Sequence, residues 1–171
     1  MKKLLNLFIF LTIINPIYSQ NLSLDDLITL QKFNLEKAND FLLKKNWTFV
    51  GADDNENSPT ITWAYNLNEG NANAWLEQYQ FGENEYIINY QISSKIVYER
   101  IKDRVNAFGM RLIKSQALNN VLSQIFQGKN YTISIDISTK NTELPNYHFC
   151  LMKNSSYELI DRINKKSETN R

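Results

Sequence analysis

His148, Cys150 and Met152 stand at alternate positions late in the chain, and all three side-chain types bind soft cations such as Cu(I). On one strand, residues two apart lie about 6.5–7 Å from each other along the backbone, so long side chains on a shared face can converge. Period two, however, does no more than place three residues on one face, and a lone buried cysteine usually behaves as a small hydrophobe. If Tyr147, Phe149 and Leu151 face the core, the trio lies on the other side of the sheet, and we expect no metal site there. His148 and Cys150 could also pair as base and nucleophile. The chain has a single histidine, no G-x-S-x-G, and no orienting acid or oxyanion loop at a suitable spacing.

Other constellations fare similarly. Asp53, Asn55 and Asn57 match the first three ligand positions of an EF-hand loop, but the turn glycine is replaced by Ser58 and the bidentate glutamate by Ala64, so a solvated turn is expected. The five glycines are too scattered to cradle a phosphate, and Cys150, the only cysteine, has neither a disulfide partner nor a CxxC-type zinc partner. Trp47, Trp63 and Trp75, with Tyr65, Tyr79 and Tyr90, could form a sugar-stacking platform. Their alternation instead predicts Trp63, Trp75, Tyr65, Tyr79 and Tyr90 on inward faces, where burying one aromatic contributes about 1.5–3 kcal/mol. A carboxylate pair for glycoside hydrolysis needs two acids across a cleft, and spacing alone selects none of the 18. We assign no catalytic, cofactor or metal residue.

The elements that would position these residues follow from periodicity. Ser23 with Asp26 makes a capping box before Leu24, Leu27, Ile28, Leu35, Ala38 and Leu42, which share a helical face; Asn34 divides that stretch into two helices. Trp47 to Val50 reads as a short strand closed by Gly51, and residues 51–59 as a polar loop. Ile61, Trp63, Tyr65 and Leu67 alternate with polar neighbours. Trp75, Tyr79 and Phe81 are expected on one inward face, then Tyr86, Ile88, Tyr90 and Ile92, giving an antiparallel meander. Ser93 or Ser94 caps a second helical segment carrying Ile96, Val97, Ile101, Val105 and Phe108 inward, with Gly109 at its C′ position. The run Glu99 to Arg104 reads as that helix's solvated surface. Met110 to Ser115 is extended. Residues 117–127 fit strand or helix, though Val121 to Gln127 followed by Gly128-Lys129-Asn130 predicts a hairpin. Tyr131, Ile133, Ile135 and Ile137 make the clearest strand, and Tyr147 to Met152 the last.

Laid end to end this is helix then four strands, twice, without residue identity between the copies. We expect an α+β fold: an antiparallel sheet with helices packed on one face, in a tandem helix-then-four-strand layout. In layout alone it resembles the β-lactamase-inhibitor-protein fold and the small bacterial envelope proteins that share it.

Residues 1–19 carry Lys2 and Lys3, a mostly apolar run from Leu4 to Ile14, the breakers Asn15 and Pro16, and small Ser19, the pattern of a secretory signal peptide. The ending Tyr18-Ser19-Gln20 resembles leaders of the Bacteroidetes bacteria, where glutamine often opens the mature chain. The expected domains are this leader; residues 20–153 as one α+β domain in two halves, about 20–93 and 94–153; and a polar tail at 154–171, in which Tyr157 to Ile163 forms at most a turn or two. Nineteen basic residues against eighteen acidic ones rule out nucleic-acid binding through bulk positive charge. With export, a full core and no reactive constellation, we expect a non-enzymatic protein-interaction module of the bacterial envelope, periplasmic or secreted, whose partner is an envelope protein. The mature chain should neither span a membrane nor bind nucleic acid. The alternatives are a small hydrolase or ligand-binding protein acting on envelope glycans, marked by exposed tryptophan beside two acids in a hollow, and an immunity or inhibitor protein against an exported toxin.

Overall fold

The computed structural model describes residues 21–53, 59–82, 85–139 and 145–169. The leader and residues 54–58, which carry Asn55, Asn57 and Ser58, therefore lie outside the described residues. Four helices and eight antiparallel strands confirm the α+β class and the broad helix-then-strand layout.

Helices α1 (Leu24–Leu30) and α2 (Leu35–Leu43) open the fold. The Ser23 hydroxyl accepts from Asp26 N–H at 3.2 Å while the Asp26 carboxylate accepts from Ser23 N–H at 2.9 Å, the reciprocal capping box. Asn34 caps α2 through Lys37 N–H at 3.1 Å. Leu35, expected inward, is 44% exposed: it occupies the first position of α2, at the outer end of the stripe that Ala38 and Leu42 continue.

Strands β1 (Trp47–Asp53), β2 (Thr60–Tyr65), β3 (Ala74–Gln80) and β4 (Tyr86–Ile92) form the first meander. Strand β1 runs beyond Gly51, with a bulge at Val50: Phe49 opposes Trp63 and Gly51 opposes Thr62. Helix α3 (Lys95–Ala107), capped by Ser94, buries Val97, Ile101 and Val105. Ile96 and Phe108, expected on that stripe, are 63% and 43% exposed: Ile96 lies about 100° round the helix from Val97, and Phe108 is the cap residue beyond the last helical residue, Ala107. The helix ends in a Schellman motif. Gly109 adopts φ 74°, its N–H bonds the Asn106 carbonyl at 3.0 Å, and Met110 N–H bonds the Val105 carbonyl at 3.2 Å.

The second meander comprises β5 (Arg111–Leu118), β6 (Val121–Gln127), β7 (Tyr131–Ser138) and β8 (Asn146–Lys153). Asn119 and Asn120 join β5 to β6 with φ 51° and 64°, a two-residue turn with both central residues left-handed. Helix α4 (Asn154–Thr169) follows β8 directly. It is far longer than the turn or two expected of residues 157–163. Its start is pinned by tertiary bonds invisible to local patterning: Thr132 Oγ1 donates to Asn154 Oδ1 at 2.9 Å, and Ser156 Oγ donates to Glu85 Oε2 at 2.7 Å. No helix among the described residues is long and apolar enough to cross a membrane.

Strand order is β1-β2-β3-β4-β8-β7-β6-β5, so the two meanders meet at an antiparallel β4–β8 seam and the order reads symmetrically about it. One rung of directly paired residues crosses the sheet as Phe49, Trp63, Leu76, Tyr90, Phe149, Ile135, Gln124 and Ser115. This is the helix-covered face. Trp63 Nε1 donates to Asn39 of α2, Gln78 reaches the Leu30 and Phe33 carbonyls after α1, and Lys102 of α3 donates to Gln124. Trp47, Trp63, Leu76, Tyr90 and Phe149 are all at most 2% exposed and form the centre of the core.

Candidate functional site on the second sheet face

Strand register carries His148, Cys150, Met152, Trp75 and Tyr79 to the face opposite α1–α3. Since Trp63 pairs with Leu76 on the helix side, its neighbour Ala64 pairs with Trp75 on the other. The rung then continues through Gln91, His148, Asp136 and Ser123. The adjacent rung on the same face runs Thr62, Glu77, Asn89, Cys150 and Ser134. Directly opposed residues hold their Cβ atoms about 4.5–5.5 Å apart, so two neighbouring polar rungs across four strands make one continuous patch.

Trp75 and Tyr79 thus correct the sequence expectation. The inward residues of β3 are Ala74, Leu76 and Gln78, each at most 1% exposed, and both aromatics stand on the second face. Strand β3 carries bulky side chains in both phases, and its polar Gln78 takes an inward position. Its buried amide is accommodated by two carbonyl acceptors, at 3.2 Å and 2.8 Å. Trp63, Tyr65, Tyr90 and the inward set Ile88, Tyr90 and Ile92 lie on the expected side.

Trp75, Glu77, Asn89, Gln91 and His148 line a hollow of about 250 Å³ at the middle of this face. Asn89 Nδ2 donates to Glu77 Oε2 at 3.5 Å, whereas Asn89 Oδ1 is shielded from solvent and has no hydrogen-bond partner. Beside the hollow, His148 Nδ1 lies 3.7 Å from Asp136 Oδ2, with the two side chains 39% and 34% exposed. The His148 ring holds the Asp136 carboxyl below its ordinary range; burial opposes this, and hydrogen bonds from Ser123 and Ser134 add to it. The imidazole therefore has an acidic neighbour that orients it.

His148, Cys150 and Met152 do share the second face, because Tyr147, Phe149 and Leu151 are buried on the first. They do not converge. Met152 is 7% exposed near the start of α4, and Cys150 is engaged by the Tyr79 hydroxyl, which donates toward its sulfur. Burial pushes the Cys150 thiol up to about 12, against the favourable Tyr79 contact, and burial likewise lifts Tyr79 to about 12. A thiol so disposed stays protonated at neutral pH and is a poor nucleophile. Among the described residues, no group of three or more His, Cys, Asp or Glu side chains is gathered to hold a metal ion.

A larger groove of about 660 Å³ lies between α2 and the sheet, edged by Leu35, Leu43, Phe49 and Tyr86. Its amide side chains already serve the fold: Asn34 caps α2 and Asn39 accepts from Trp63. The polar groups of the hollow bond to one another and to neighbours on the same face, rather than capping a helix or serving a core tryptophan, and this marks the hollow as the better candidate for recognition. No motif spans its five residues, which come from three strands and positions 75 to 148. The one available signal was the outward phase of β8, once Tyr147, Phe149 and Leu151 are taken as core.

Comparisons with known proteins found no matching family model, no matching curated protein and no matching solved structure.

Proposed function

We propose that the mature chain is an exported, non-enzymatic binding protein of the bacterial envelope that recognises a glycan through the hollow on its second sheet face. One observation carries this reading: a tryptophan and four hydrogen-bonding side chains converge on a small hollow of the sheet face that α1–α3 do not cover. Of the two expected occupants, an envelope protein and an envelope glycan, the hollow favours the second. A stable protein interface covers roughly 800 Å² on each partner, whereas a concave site with a few directional polar groups suits a small ligand. Glu77 is the one carboxylate in the lining, and hydrolysis by the usual route requires two acids flanking the bond. This favours binding over cleavage. Export rests on the three-zone pattern of residues 1–19.

The test is co-sedimentation of the mature chain with insoluble envelope polymer, alongside capture of soluble envelope glycans. The control is Gln91→Trp, which fills the hollow from an exposed position. Retention of the natural chain and loss of the variant are expected. Equal retention of both, or of neither, overturns the reading.

A further inference from the structure

We propose that the hollow takes a single uncharged sugar ring, laid against the Trp75 indole with its hydroxyls directed at Glu77, Asn89, Gln91 and His148. This rests on the reading of the chain as a glycan-binding protein and specifies the class of sugar.

A pyranose ring has a C–H face and a rim of hydroxyls. The C–H face is complementary to the electron-rich face of an indole, the largest such surface among the side chains. Trp75 is suited to this because it stands partly buried on the second face, whereas Trp47 and Trp63 are sealed in the core at 2% and 0% exposure. Each hydroxyl both donates and accepts, and vicinal hydroxyls match planar groups with two polar ends. Glu77 supplies acceptors, Gln91 and Asn89 supply both functions, and His148 supplies a ring nitrogen oriented by Asp136. Asn89 Oδ1 has no partner within the protein. A buried acceptor left without a donor is costly, and this one, unlike the unpartnered groups of Gln31, Trp47, Gln78 and Tyr90, belongs to a residue that lines the hollow. Rotation of the Asn89 amide would offer that oxygen to a ligand hydroxyl.

Size and charge narrow the class further. A volume of about 250 Å³ lies below the roughly 300–1,000 Å³ of sites for drug-sized ligands, which fits one ring with the rest of a chain outside. Among the described residues the lining holds Glu77 and no lysine or arginine, and Asp136 stands on the adjoining strand. A carboxylate on the sugar would meet like charge at close range with no fixed cation to offset it. Uronic acids are therefore disfavoured relative to the neutral ring of the same stereochemistry.

The experiment is a titration of the mature chain with methyl glycosides of the common neutral hexoses and N-acetylhexosamines, and with the matching uronates. Tryptophan emission and ligand-observed NMR are read together. Because two of the three tryptophans are buried, a change in emission reports on Trp75. At least one neutral glycoside is expected to shift the emission. Its uronate should bind at least tenfold more weakly, Trp75→Ala should abolish both signals, and Glu77→Gln should narrow the tenfold gap. Far-ultraviolet circular dichroism confirms that each variant is folded. Uronate binding as tight as the neutral ring, or NMR-detected binding unchanged in Trp75→Ala, overturns the inference. So does the absence of binding by any neutral ring when polymer capture still depends on Gln91; in that event the glycan reading stands and the sugar class is wrong. Neutral-ring binding together with polymer capture indifferent to Gln91→Trp leaves this inference standing and removes the envelope polymer as the ligand's source.

Discussion

The two outermost strands have equivalent places in the two meanders and quite different surroundings. Strand β1 begins with Trp47, 2% exposed, which contacts Tyr65 and Tyr90 at ring-centroid distances of 5.7 Å and 6.1 Å while α2 packs along the strand. Strand β5 is exposed at all eight residues, including Leu112 at 50% and Leu118 at 61%. The cause is the number of helices preceding each set of strands. The first meander follows two helices, so α2 remains to cover the start of its edge strand at Trp47, whereas Phe49 and Val50 further along are 47% and 45% exposed. The second follows only α3, whose buried stripe is used further in, with Lys102 over the Phe126 ring at 4.2 Å. A repeated layout does not repeat its cover. Where cover is missing, β5 carries the features that protect a sheet edge: Arg111, Lys114 and a register shift between Leu112 and Lys114.

The sharpest way to break this comparison is truncation at matched positions. Trp47→Ala should cost about 3–5 kcal/mol, and Leu112→Ala well under half of that, as measured by urea unfolding. Comparable losses would mean that β5 is covered in solution. Next in size, Asn119→Val places a β-branched residue at φ 51°. That should cost on the order of 1–2 kcal/mol. Hydrogen exchange should show the loosening confined to β5 and β6, with Trp47 and its neighbours unaffected. A smaller effect belongs to the centre of the second face. Asp136 titrates below its ordinary value of 3.8 in the folded chain, so its pairing with His148 stabilises fully above that value. The contribution is lost as pH falls through the lower, folded-state value. The melting temperature of the natural chain should therefore drop more steeply on acidification below about pH 4 than that of Asp136→Asn. Smallest in stability, Lys114→Val should leave the unfolding midpoint nearly unchanged. It should be visible only as concentration-dependent association by sedimentation, since a mid-strand lysine is what keeps an open edge single.

How much of this could be read beforehand depends on whether the cause is local. Ser23 with Asp26, Asn34, Ser94 and Gly109 cap or end their helices as expected because each acts within four residues. The inward phase of β4 was legible because Ile88, Tyr90 and Ile92 have polar partners at Asn89 and Gln91. Strand β3 was not, since Trp75 and Tyr79 compete with Ala74, Leu76 and Gln78 for the core, and the pairing of Trp63 with Leu76 decides it. Helix α4 was hidden for a similar reason: Asn154 and Ser156 find their partners at Thr132 and Glu85, far away in the chain. The hollow was hidden most completely. Its five residues acquire a common purpose only through the registers of β3, β4 and β8.

The β4–β8 seam bears on how the molecule comes together. Every other strand pair is a hairpin between consecutive segments, but the seam joins residues 55 to 63 positions apart, from Ile92 with Tyr147 to Ile88 with Leu151. Chain closure over such a span is entropically dearer than turning a hairpin, and non-local pairing is what slows folding. Each meander can zip up early as a separate curl, and their docking along Tyr90 and Phe149 is then the late, rate-limiting event. The hollow straddles that same join, with Gln91 on one side and His148 on the other, so it comes into existence only when assembly is complete.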